Sequence, residues 1–157
     1  MKSMASVSRR LALLSVHPEF ADKILTGEKT VELRRRRLRL TPGDALLLYS
    51  TLPCGNLVGL AWVDSVVALP TATLWHRVAN CARVDRARFN AYFSDRSEGV
   101  GIFLVNPIRF RQPIPLWRMR KIWPGFHPPQ TIRFFNWDDT EALGLPELTV
   151  ALSRRAA

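Results

Sequence analysis

The sequence predicts an α+β fold: a small, strongly curved mixed sheet or barrel of five to six strands, with two or three short peripheral helices. Three observations lead there. Apolar runs of strand length recur along the chain, each bounded by Gly, Pro, Asn or Asp. Helical spacing appears only in brief stretches between them. The 157 residues, 47% of them hydrophobic, are enough for one core without staples and argue against bulk disorder. Length and connectivity leave the type of barrel open.

Leu11–Val16 reads as a buried first strand. Pro18 suits a first helical turn, and Phe20, Ile24 and Leu25 then recur at helical spacing with Ala21 beside them. Gly27 is the expected stop, because glycine takes the left-handed position after a helix at no steric cost. From Thr30 the period becomes two: Val31 and Leu33 face one way, and Thr30, Glu32 and Arg34 face the other. Pro42-Gly43-Asp44 marks a turn, and Ala45–Tyr49 is a continuous apolar run, as in a central strand. Leu57–Leu69 reads as a long strand with Gly59 as a bulge. Thr71–Trp75 opens a short helix, and Asp85 caps another that runs to about Phe93. Val100–Val105 and Ile108–Arg111 read as a hairpin around Asn106-Pro107. Pro113, Pro115, Pro124, Pro128 and Pro129 make regular structure sparse until Ile132, and Asp138–Leu143 reads as a short helix. Neither an internal repeat nor a domain boundary stands out.

Lys and Arg outnumber Asp and Glu by 23 to 13, a formal net charge of +10 at pH 7. Such a balance speaks to partners rather than fold, and nucleic acid is the commonest polyanion. Cys54 and Cys81 sit in no CxxC, as in reduced thiols of a cytoplasmic protein. His17, His76 and His127 form no ligand spacing, so no metal and no cofactor is expected. The apolar run at 11–16 is too short to span a membrane. Residues 1–10, with Lys2, Arg9, Arg10 and no acid, read as a flexible N-terminus.

Two zones carry the positive charge. Arg34, Arg35, Arg36, Arg37 and Arg39 are always cationic and can fork onto phosphate oxygens. If the strand continues, Arg34 and Arg36 share a face with Glu32, while Arg35 and Arg37 project from the other. The second zone, Gly99 to Trp137, holds no Asp or Glu. There Arg109, Arg111, Arg118, Arg120, Lys121 and Arg133 interleave with aromatics, cations for backbone and ring faces for bases. Trp117 and Trp123 are the rings expected to be partly exposed. The nucleic-acid-binding set is therefore Arg35, Arg37, Arg39, Arg118, Arg120, Lys121 and Trp117. A third constellation is Lys29 with Glu32: a lysine of lowered pKa is a base or nucleophile, and a carboxylate shuttles a proton. No phosphate-cradling glycine loop or nucleophile elbow is present.

The segment Leu14-Ser15-Val16-His17-Pro18-Glu19-Phe20-Ala21, followed by Lys23-Ile24-Leu25-Thr26-Gly27-Glu28-Lys29-Thr30-Val31-Glu32-Leu33-Arg34, resembles the ASCH domain family, a branch of the PUA-like fold. Its GxKxxExR core is that family's signature. Gly43-Asp44 before Tyr49-Ser50-Thr51 fits the same pattern, and Pro128–Phe135 resembles a bacterial and phage subgroup described as transcriptional regulators. The resemblance covers about residues 11–136 and leaves 137–157 as a C-terminal extension. It implies a small β-barrel with a cleft beside the helix-to-strand junction and RNA as ligand, favoured over duplex DNA. Lys29, Glu32, Arg34, Arg36, Tyr49, Ser50 and Gln130 are the ligand-binding residues it leads one to expect, with Lys29 and Glu32 catalytic if the protein is an enzyme. Some small members are amidohydrolases that deacetylate N4-acetylcytidine with a lysine, a threonine and a glutamate. Lys29 matches the lysine, Glu32 stands where the threonine falls, and the distal glutamate has no counterpart. Ribonuclease activity is also attributed to some relatives. The expected function is a basic RNA-binding module. Hydrolysis of RNA or of a modified nucleoside is the alternative, and a regulatory surface for an acidic protein is the third reading.

Overall fold

The computed structural model describes residues 10–156. The N-terminal segment expected to be flexible lies outside the described residues, apart from Arg10, which begins the first strand. Six strands form one mixed sheet: β1 (Arg10–Val16), β2 (Val31–Arg34), β3 (Ala45–Ser50), β4 (Asn56–Pro70), β5 (Glu98–Pro115) and β6 (Ile132–Asn136). Their order is β2-β5-β4-β3-β1-β6. β1 and β3 run parallel, with Ser15 opposite Tyr49, and the other neighbours are antiparallel. A parallel pair needs a crossover, and α1 (Pro18–Thr26), β2 and the arginine segment supply it.

Both faces of the central strands are covered, which explains why β1 and β3 read as unbroken apolar runs rather than alternations. One core sets Leu11, Leu13, Leu47 and Tyr49 against Phe110, Met119 and Phe126, and against Trp137, Leu143, Leu145 and Leu148 from the C-terminal region. The other sets Ala12, Leu14, Leu46 and Leu48 against Ala21, Ile24 and Leu25 of α1. A third, smaller core joins Val31 and Leu33 of β2 to α2 (Thr71–Val78) and α3 (Arg86–Tyr92), through Leu74, Val78, Phe89 and Phe93. The alternation expected from Thr30 onward places these two apolar side chains there and turns Glu32 and Arg34 the other way.

The helix ends follow their sequence signals. Gly27 adopts φ +85°, and its N–H donates to Ile24 O at 3.1 Å. Lys29 N then donates to Lys23 O at 3.0 Å, closing the turn into β2. Asp85 accepts from Arg88 N at 2.7 Å at the start of α3.

Several elements differ from the sequence reading. β5 is one strand of 18 residues, not a hairpin at Asn106-Pro107. Asn106 takes φ +53°, and the β4–β5 register shifts nearby, so the Asn-Pro pair marks a bulge rather than a turn. Helices are more numerous than two or three: the short helix expected at Asp138–Leu143 is present as a 3-10 helix (Trp137–Leu143), and α4 (Leu116–Ile122) and α5 (Pro146–Ala156) are additional. Pro115 caps the start of α4 where the proline density had pointed to irregular chain.

Candidate functional site

The α1-to-β2 junction builds a cleft of about 350 Å³, within the size range of small-ligand sites. Lys29, Glu32 and Arg34 line it together, as the sequence reading required of a ligand site. Ser15, His17 and Phe20 come from the end of β1 and the start of α1, and Val84, Arg88, Phe89 and Tyr92 from α3 and the loop before it.

Lys29 is 2% exposed and Glu32 is 6% exposed. The Lys29 ammonium donates to Ala82 O and lies 4.6 Å from the centre of the Phe20 ring. Burial pushes its pKa below the ordinary lysine range, and the Glu32 carboxylate pulls it back up. Arg34 donates from one Nη to Ser15 O at 2.7 Å, and its Nε lies 3.5 Å from Glu32 Oε1. The other carboxylate oxygen, Glu32 Oε2, has no hydrogen-bond partner among the described residues. Tyr92 donates to Leu33 O at 3.3 Å, which fixes its ring at the cleft wall, and burial raises its phenol pKa. Arg88 lies 4.4 Å from the Phe20 ring and is tied to Glu19 at 3.2 Å.

The cleft opens into a trough. A second cavity of about 380 Å³ shares Arg34 and Tyr92 with it and adds Arg35, Arg36, Asp95, Arg96, Gln130 and Thr131. A third, of about 450 Å³, shares Arg35, Arg36, Asp95 and Arg96 and adds Arg37. Arg35, Arg36 and Arg37 thus border one basin instead of projecting alternately, because β2 stops at Arg34 and the pleat ends with it. Asp95 is ion-paired with Arg35, and with its own backbone N–H this holds its carboxyl below the usual range.

Other residues expected at a ligand site lie elsewhere. Tyr49 is 2% exposed within the core beneath α4, and Ser50 is likewise buried at the end of β3, so neither lines the Lys29 cleft. Arg39 is exposed outside the trough, its carbonyl accepting from Arg10. Trp117 is 61% exposed on α4 with the Lys121 ammonium 5.2 Å from its ring. Arg120 donates to Phe126 O, and Arg118 borders a separate groove of about 590 Å³ against Leu145 and Val150. This α4 group does not border the trough. Sequence reasoning missed His17, Phe20, Arg88, Tyr92 and Arg96. Only Phe20 carried a signal, its helical spacing, and that was read as core. Among the described residues no cluster of His, Cys, Asp or Glu could hold a metal ion, and no helix is long and apolar enough to cross a membrane.

A six-stranded mixed sheet with a cleft of this make-up at its first helix-to-strand junction defines an ASCH-type, PUA-like domain. The ASCH domain model matches residues 14–114, and the chain belongs to that family. It is 31% identical over 135 residues to an ASCH domain-containing ribonuclease of Zymomonas mobilis, covering 86% of this chain and 90% of that protein. The crystal structure of ASCH from Zymomonas mobilis superposes with a TM-score of 0.82 at 30% identity, over 87% of this chain and 95% of that one. The N-terminal domain of Staphylothermus marinus McrB, at 12% identity and TM-score 0.53, covers 92% of this chain and 97% of its own and shares the fold alone.

Proposed function

We propose that the protein binds single-stranded RNA, seating one nucleoside in the Lys29–Glu32–Arg34 cleft and carrying the neighbouring phosphates along Arg35, Arg36, Arg37 and Arg96. The observation that carries this reading is the continuity of cleft and trough through Arg34 and Tyr92. An enclosed aromatic cleft takes an unstacked base, and arginines outside it take the chain. A base held in a duplex cannot enter, which favours RNA loops and single strands over duplex DNA. The free thiols Cys54 and Cys81 suit a cytoplasmic setting.

RNA cleavage is the second reading. It is supported by the ribonuclease name of the Zymomonas relative and by the buried Lys29, whose lowered pKa suits a general base. Deacetylation of N4-acetylcytidine is weaker, because Glu32 stands at the threonine of that motif, and the name of the Zymomonas relative does not support the transcriptional-regulator subgroup. Tyr49, buried in the core beneath α4 and outside the cleft, serves as the control position. The test is incubation of end-labelled RNA with the wild type, Lys29→Met and Tyr49→Phe. Loss of cleavage in Lys29→Met with retention in Tyr49→Phe is the expected pattern. Cleavage that survives Lys29→Met removes Lys29 as the base, and wild-type protein that neither binds nor cuts RNA ends both readings.

A further inference from the structure

We propose that Tyr92 is the ring on which the RNA base stacks, at the point where the cleft meets the trough. The inference rests on the reading of this cleft as a nucleoside site and adds which side chain seats the base. Four aromatic side chains border the cleft: His17, Phe20, Phe89 and Tyr92. Phe89 is 2% exposed and packs 5.0 Å from Trp75 and 4.7 Å from Phe93, so its ring belongs to the core. Phe20 has the Lys29 ammonium 4.6 Å and the Arg88 guanidinium 4.4 Å from its ring centre. A base laid on Phe20 would compete with cations that already hold that ring. His17 is exposed but borders the cleft and not the trough. Tyr92 is 40% exposed, and among the described residues it is the aromatic side chain that borders both.

The Tyr92 ring is also held in place. Its hydroxyl donates to Leu33 O at 3.3 Å, and Phe93 packs edge-to-face against it at 4.8 Å. A ring fixed in advance loses little side-chain freedom when a base arrives. Arg34 and Arg35 lie close enough for their charges to act on the phenol. Ring and cations therefore lie side by side: a base on the ring brings its flanking phosphates toward the arginines. Every base has a π-face, so this contact separates a strand with bases from a bare polyanion, and not one base from another.

The experiment measures fluorescence anisotropy at fixed ionic strength with labelled pentaadenylate and with an abasic pentamer of the same ribose-phosphate backbone and charge. The wild type is expected to bind pentaadenylate about tenfold more tightly, within the range of one base stacked on an aromatic ring. Tyr92→Leu is expected to bring pentaadenylate down to the abasic level and to leave the abasic pentamer unchanged. Tyr92→Phe, which keeps the ring and loses the Leu33 contact, is expected to retain the preference. A Tyr92→Leu protein that still prefers pentaadenylate removes Tyr92 as the platform. Loss of both ligands in Tyr92→Leu assigns the residue a structural role and overturns the inference too. Equal binding of the two pentamers by the wild type overturns stacking and leaves binding of the RNA backbone standing. A wild type that binds neither overturns the RNA reading itself.

Discussion

Lys29 is a cation held where the protein interior disfavours charge. Its folded pKa lies below the ordinary lysine value of about 10.4. Between those two values the unfolded chain binds the extra proton, so stability rises with pH across that window. Urea midpoints should therefore climb as the pH approaches the ordinary lysine value from below, and the climb should shrink in Lys29→Met. An identical climb in the variant would assign the effect to another group. Lys29 and Glu32 were legible because Gly27 announces the end of a helix and the alternation after it announces a strand. Ala82, Arg88 and Tyr92 were not, because they arrive from α3 and the loop before it, more than fifty residues along the chain, with no local pattern to say what they face.

The position of the cleft depends on how α1 sits on the sheet. Gly59 of β4 lies directly under Leu25: a Cβ added there would stand 2.4 Å from Leu25 Cδ2 and 2.6 Å from Ile108 O. Only glycine permits this approach of helix to strand. Gly59→Ala should destabilise the protein by about 1–3 kcal/mol through overpacking and weaken the proposed RNA binding by tilting the α1-to-β2 junction. Thermal melts and anisotropy check both effects, and a variant with unchanged melting temperature contradicts this account of the packing. The bulge expected at Gly59 from sequence coincides with the observed register shift between Leu57 and Gly59. Two misread elements share one cause. Proline was taken as punctuation, yet Pro107 sits inside β5 and Pro115 immediately precedes α4. Proline breaks a ladder or helix only where its missing N–H is needed, and that depends on neighbours the sequence does not display.

At the scale of the whole molecule the excess charge of +10 is not spread evenly. Arg34 to Arg37 and Arg96 gather around one trough, while Arg118, Arg120 and Lys121 lie on α4 outside it. The sequence disclosed both basic zones but not that they form separate surfaces. If the trough carries the RNA chain, the log of the binding constant falls by about 0.7 per engaged phosphate for each tenfold rise in salt. Substituting Arg36 and Arg37 by Ala should flatten that slope by about one to one and a half units, whereas substituting Arg118 and Lys121 should leave it nearly unchanged. A slope insensitive to Arg36 and Arg37 would move the chain path off the trough. Asp95 gives this surface a further property. In the free protein its carboxylate already occupies Arg35, so the trough contains a resident anion that an incoming phosphate must evict. It is an internal competitor, and it penalises weak or passing polyanions more than one anchored in the cleft. Asp95→Asn should tighten binding to generic RNA by about twofold to fivefold, the range of an exposed ion pair, while narrowing the margin between anchored and unanchored ligands.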